Sequence, residues 1–405
     1  LSFDNLSGDP EQDYFADGIT EDIITRLAQY PDILVLGRNT TFQFKGQAVD
    51  IPTIAEKLGA DYVVEGSIRR GGDTVRVTAQ LLGGESWGHI WAETYDRALD
   101  AAKIFAVQDE ITERVAGQIG DVHGAISRAQ SEQSERRAPK YFSSYDCILR
   151  AHEFVRQVSP DTHRVARDCL EGVIEAEPDY AEALAYLGNL YLLEIAVGLN
   201  TLPNSSLERA LSMLERAVFQ NPESGIAHVL YAQALYLTNN PQRAIREAEE
   251  ALRLEPNNSD VIGWAGEVLS NTGAYQRTVE IMERLAVLNP KYPGWMNWNM
   301  AKVHMARGEY GEAISRLEMA QMNWYFLTHV FLAAAHCARD DLERGEAAMS
   351  AALSAYPGLH DSYWREMYFW QKGEGTRPLV DAVANGLTAC GWEVPPDPGP
   401  EAFAQ

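Results

Sequence analysis

Gly84-Glu85-Ser86-Trp87-Gly88 has the G-x-S-x-G spacing of a hydrolase nucleophile. That chemistry needs the serine on a tight turn from a strand into a helix, beside an oxyanion hole. The runs on both sides of Ser86 read as strands, so its glycines are those of a hairpin turn and the serine is expected to be inert. A second cluster, Asp4, Asp9, Glu11, Asp13 and Asp17, could hold a cation, but it lacks the alternation and closing glutamate of an EF-hand loop. Asp17 suits a helix N-cap and Asp9-Pro10 a turn. The nine histidines are scattered without an H-E-x-x-H motif, and the seven-residue interval between His329 and His336 is poor geometry for one metal. Arg69, Arg70 and Arg76 flank a Gly-Gly-Asp turn, but a phosphate cradle needs a glycine-rich turn opening a helix, and this one opens a strand. The expectation is therefore no catalytic, cofactor-binding or metal residues, and no cofactor.

The elements that would have to position any site fall into two kinds. In the first part, "ITEDIITRLAQYP" reads as a helix, "DILVLG" as a buried strand and "DIPTIAEKLG" as a short helix capped by Asp50 and ended by Gly59. "ADYVVEGSIRR", "TVRVTAQLL" and "GHIWAETYDR" read as three strands, with Val75, Val77, Ala79 and Leu81 on the buried face. Ile104, Val107, Ile111, Val115, Ile119, Val122 and Ile126 mark one stripe of a long helix. Together these give an α+β domain over 1–126, a mixed sheet with helices on one face. A polar stretch, 127–140, reads as helix tail and linker.

Beyond it the sequence repeats. Pro222, Pro256 and Pro290 recur at 34-residue intervals, each after the end of a helical pattern such as "ALSMLERAVFQNP" or "AIREAEEALRLEP". Period 34, with a small residue, a large apolar one four positions on and a third apolar position three beyond, is the tetratricopeptide (TPR) signature of paired antiparallel helices. Gly188, Ala232 and Gly266 take the small position where the helices of a pair touch. The expectation is an all-α array of about six repeats plus a terminal cap over 141–393, then a loose tail over 394–405. In such arrays the first helix of each repeat lines a concave groove. The positions facing it here are Asn189, Gln233, Tyr236, Glu267, Asn271, Trp295, Trp298 and Lys302, an amide, acidic and aromatic set. Trp298 and Lys302 are placed on the concave surface, with Met300, Ala301 and His304 between helices. Such a set suits a protein or peptide with basic or apolar anchors rather than an acidic tail.

Charge and composition narrow the classes further. The net charge is −24, spread over both parts, which argues against nucleic acid as a partner. Cys147, Cys169, Cys337 and Cys390 have no C-x-x-C spacing and read as buried free thiols, favouring a reducing compartment. No apolar run reaches the ~18 residues of a membrane span. Leu1-Ser2-Phe3, without an initiator Met, reads as the end of a strand continuing something longer.

"FDNLSGDPEQDYFADGITEDIITRL", "YVVEGSIRRGGDTVRVTAQL" and "HIWAETYDRALDAAKIFAVQDEIT" resemble the TolB-like amino-terminal domain that precedes TPR arrays in bacterial signalling proteins. The resemblance implies a non-catalytic regulatory and protein-interaction module of a class III adenylate/guanylate cyclase, with the catalytic domain upstream. The alternative it carries is the sensor half of a winged-helix transcriptional regulator, and the distant alternative is a serine hydrolase using Ser86. It further implies a cytoplasmic setting, or the periplasmic side of a membrane-anchored protein, and leaves room for a homo-oligomer.

Overall fold

The computed structural model describes residues 1–405 apart from 9–12, 31–32, 48, 72–73, 84–86, 99–103, 122–123, 136–143, 197–206, 291, 372–373, 400–401 and 403–405. The chain forms two compact units. The first comprises Leu1–Tyr141 with the short segments Asn257–Ser259 and Ala286–Pro290; the second comprises Phe142–Pro256, Asp260–Leu285 and Lys291–Gln405.

In the first unit the order is β1 (Asp4–Asn5), α1 (Asp13–Leu27), α2 (Arg38–Thr41), α3 (Ile51–Leu58), β2 (Tyr62–Gly71), β3 (Thr74–Gly83), β4 (Gly88–Ala98), α4 (Ile104–Gly120) and α5 (Ala125–Glu135). The sheet runs β1-β2-β3-β4, parallel at β1/β2 and antiparallel elsewhere. The β2–β3–β4 register places Ile68 beside Val77 and Val77 beside Tyr95, all three buried. Alternation thus sends Val75, Val77, Ala79 and Leu81 to the core face, where Phe15, Ile19 and Ile23 of α1 and Ile111, Val115 and Ile119 of α4 cover them. Asp50 caps α3 by accepting the Thr53 N–H at 2.8 Å, and Gly59 ends it in the left-handed region at φ 63°.

Three expectations for this unit need revision. "DILVLG" is no strand over its described residues 33–37: nothing pairs with it, and Leu34 is 94% exposed. Asp17 does not cap α1, which begins at Asp13; its carboxylate instead pairs with Lys45. The apolar stripe from 104 to 126 is shared between two helices. The turn at Gly124 separates them, and a Cβ at Gly124 would meet the Ile119 carbonyl oxygen at 2.7 Å. In the Asp4–Asp17 cluster, expected to be structural rather than a cation site, Asp13 accepts from Asn5 at 2.7 Å; Asp9 and Glu11 lie outside the described residues. Ser86 lies outside them too, but β3 and β4 pair up to Gly83–Gly88 on either side of it. The turn therefore leads from strand to strand.

The second unit is helical, with Ser259 of α12 and 286–288 of α13 counted in the first: α6 (Ser144–Arg156), α7 (Pro160–Ala176), α8 (Ala181–Ala196), α9 (Leu207–Gln220), α10 (Gly225–Leu237), α11 (Pro241–Leu254), α12 (Ser259–Asn271), α13 (Tyr275–Leu288), α14 (Asn297–Ala306), α15 (Tyr310–Ala320), α16 (Phe326–Cys337), α17 (Leu342–Ala355), α18 (Leu359–Trp370) and α19 (Arg377–Ala389). Successive helices from α6 to α17 form pairs of the TPR kind. Their second helices bury the small–large–small positions the period marked, Ala210/Leu214/Ala217 on α9 and Ala313/Leu317/Ala320 on α15. The turn inside successive pairs carries one left-handed residue, Asn239, Gly273, Gly308 and Asp340. At Gly273 a side chain is excluded twice over, by φ 81° and by the Gly375 backbone 2.2 Å from where its Cβ would stand. Where the closing proline is missing, α15 is stopped by Gln321 in the left-handed region.

The end of the chain departs from a plain array. The last helix, α19, packs on α14 and α16, with Gly386 against the Ala334 backbone. The segment expected as a loose tail is held through Gly399. Trp364 Nε1 donates to the Pro395 carbonyl at 2.6 Å, and the Asp397 carboxylate accepts from Tyr368, Arg377 and the Gly399 N–H at 2.7–2.8 Å. The free-thiol reading of the cysteines is also overturned. Cys147 of α6 is bonded to Cys169 of α7, and Cys337 of α16 to Cys390 just past α19. Separations of 22 and 53 residues hid both pairs, because helix packing rather than chain proximity brings the sulfurs together.

Candidate binding groove

The first helices of the pairs present the same face in succession, and polar side chains on that face link into a ladder. Asn189 of α8 donates to Gln233 of α10 at 3.0 Å, and Gln233 donates to the Glu267 carboxylate of α12 at 3.2 Å. Tyr236 Oη donates to the Asn271 carbonyl at 2.8 Å, and Lys302 Nζ of α14 donates to Asn271 Oδ1 at 2.6 Å. Gln371, just past α18, donates to the same Oδ1 at 3.4 Å. The 34-residue period sets this arrangement, since equivalent positions of neighbouring repeats are stacked one above another.

Burial tunes the charges on the ladder. Lys302, expected on the open surface of the groove, is 1% exposed and belongs to its wall. Burial pushes its ammonium below the ordinary lysine range, and the Glu267 carboxylate acts in the opposite sense. Glu267 keeps part of its side chain accessible, yet burial raises its carboxyl above the usual value and the Lys302 charge pulls it back.

Beside the ladder lies a pocket of about 70 Å³ walled by aromatic rings. Trp264 and Trp295 meet at 4.2 Å between centroids, and Trp298 lies 4.8 Å from Phe331 and 6.1 Å from Tyr325. Trp295 is fixed by its Nε1 donating to the Val155 carbonyl at 2.9 Å. Trp298 is half-buried, while Met300 and Ala301 beside it pack inside. Glu267, Asn271, Trp295 and Trp298 line the pocket; Gln233, Tyr236, Glu267 and Asn271 line a smaller adjoining one, and Asn189 stands one rung away.

Reasoning on sequence missed Trp264, Asn299, Phe331, Glu366 and Gln371, which also line the larger pocket. Trp264 was legible, three positions before Glu267 on one helix face. Glu366 and Gln371 had no signal, because they come from the terminal helices, whose sequence leaves the repeat. His329 Nε2 lies 2.9 Å from the Asn323 carbonyl, and His336 pairs with Asp341. Among the described residues no group of three or more His, Cys, Asp or Glu could hold a metal, and no helix is long and apolar enough to cross a membrane.

Residues 204–293 match the tetratricopeptide repeat family, so the chain carries TPR repeats. "Putative adenylate cyclase 3" of Rhizobium meliloti (strain 1021) is 37% identical over 251 residues, 62% of this chain and 41% of that protein. The chain thus spans less than half the length of this relative. Solved structures to which parts of the chain are similar include the Cut9-Hcn1 hetero-tetramer of APC/C (12% identity, 72% of this chain and 64% of that one, TM-score 0.44). YrrB, described as a TPR protein with an unusual peptide-binding site, is 18% identical over 49% of this chain and 99% of its own, with TM-score 0.31.

Proposed function

We propose that this chain is a non-catalytic regulatory and protein-interaction module of a bacterial signalling protein of the adenylate cyclase type, holding a protein segment in its TPR groove. The observation that carries the reading is the aromatic pocket set beside a polar ladder on the faces of successive first helices. Half-buried aromatics at the mouth of a groove are what binding hot spots are made of. The name of the relative, and the resemblance of the first unit to a TolB-like domain, support the signalling context. Selection of displayed random peptides on the full chain, counter-selected on Trp298→Ala, tests the groove. Binders that lose roughly 30-fold in affinity on Trp298→Ala, about 2 kcal/mol, are expected. Peptides that bind wild type and variant alike would refute the groove assignment.

The paired cysteines bear on location. Disulfides persist in oxidising compartments and are rare in the cytosol, so we place this module on the periplasmic side of a membrane rather than in the cytoplasm.

A further inference from the structure

Three side chains lining the pocket carry buried polar atoms that make no hydrogen bond among the described residues: Trp264 Nε1, Asn299 Oδ1 and Gln371 Oε1. All three residues are at most 4% exposed. Their orientations are forced. Asn299 spends its Nδ2 on the Gly263 carbonyl at 2.8 Å, so its oxygen is what remains. Lys302 can only donate, so Asn271 must present Oδ1 to it. Gln371 then reaches that same oxygen through its Nε2, leaving Oε1 over. Buried polar atoms left unsatisfied cost about 1–3 kcal/mol each, which is a reason to look for a ligand that satisfies them.

The side chains that line the pocket therefore carry two unpartnered amide oxygens and one unpartnered indole N–H, each almost wholly buried, together with the Glu267 carboxylate and several aromatic faces. We propose that this pocket receives the guanidinium of an arginine side chain carried by a protein segment lying in the groove, a proposal that rests on the groove reading above. An excess of acceptors calls for a group rich in N–H donors, and flat aromatic walls call for a planar one. Guanidinium is both, whereas an ammonium is compact and does not stack. A neutral aromatic side chain would fill the space but satisfy neither amide oxygen. An acidic group would face acceptors and a carboxylate in a chain of net charge −24. The pocket's volume is well below the ~300–1,000 Å³ of small-molecule sites. It admits the head of one side chain, with the remainder of the ligand outside. The Trp264 N–H is left for a backbone carbonyl of the bound segment.

The test uses the full chain and four blocked tripeptides, Ac-Ala-X-Ala-NH₂ with X arginine, lysine, citrulline or norleucine, followed by calorimetry and by the indole N–H resonance of Trp264. Citrulline keeps the shape and plane of arginine without its charge. Arginine is expected to bind at least about tenfold more tightly than the other three and to shift the Trp264 resonance. Glu267→Gln should weaken the arginine peptide roughly fivefold or more and narrow its advantage over citrulline, and Gln371→Leu should weaken the arginine and citrulline peptides alike. Equal binding of arginine and citrulline, or no binding of the arginine peptide, overturns the proposal. If Trp298-dependent peptides are still selected in that case, the groove reading survives; if none is selected, both fall.

Discussion

Asn271→Leu should unlock the groove wall more than its modest size suggests. Asn271 Oδ1 accepts from the buried Lys302 ammonium at 2.6 Å and from Gln371 at 3.4 Å. Leucine has the same number and branching of side-chain heavy atoms, so the outline of the side chain is kept while both acceptor contacts vanish. A hydrogen bond to a charged group contributes about 1.5–3 kcal/mol and a neutral one about 0.5–1.5 kcal/mol. Weighting the long Gln371 contact at the low end gives a loss of about 3 kcal/mol. For a helical unit of this size that is a fall of roughly 6–12 °C in Tm. Adding Lys302→Met removes the stranded donor, so the double variant should recover at least about half of the loss. The pH dependence has a definite sign. The folded-state pKa of Lys302 already lies below its ordinary 10.5, so the unfolded chain binds more protons between the two values. Stability then rises with pH through that window. Loss of the Asn271 acceptor depresses Lys302 further, and the Asn271→Leu deficit should shrink from about pH 7 to about pH 10. The double variant should show no such trend. Thermal unfolding of wild type, single and double variants across that range is the assay. A single variant within about 1 kcal/mol of wild type, or a double variant no better than the single, would refute the reasoning.

Acid should free the end of the chain. Burial opposes ionisation of Asp397, but hydrogen bonds from the Gly399 N–H, Tyr368 and Arg377 outweigh it and hold the carboxyl below its usual 3.8. The stabilisation is complete above that value and is lost as pH falls through the lower folded one, so Asp397→Asn should mimic acid and speed exchange of the Gly399 amide about tenfold at neutral pH. Protein purified without reductant should show no titratable thiol even when denatured, and four after reduction; thiols detected before reduction would contradict the two disulfides and the location drawn from them. Trypsin should cut first between Glu135 and Ser144, where Arg136, Arg137 and Lys140 follow α5, if 1–126 and 141–393 fold separately around the 127–140 stretch. First cleavage inside β3 would count against that division.

The repeat was legible in sequence because its determinants are local and periodic. Prolines at 34-residue intervals and the small–large–small spacing of Ala210, Leu214 and Ala217 state which helices pair and which face packs, whatever lies elsewhere in the chain. The alternation of Val75, Val77, Ala79 and Leu81 fixed the buried side of β3 in the same way. The same local reasoning misjudged "DILVLG", since an apolar run becomes a strand only where an edge is free to pair with it. Equally, no periodicity could tell that Lys302 would be sealed in the wall rather than set on the open groove. That depended on Asn271 and Gln371 arriving from other helices. The Cys337–Cys390 pair, the pinning of Asp397 and the wall made by Glu366 and Gln371 share this origin. The terminal helices leave the repeat and return against α14 and α16, and contacts between segments far apart in sequence are decided by the packing of the whole unit.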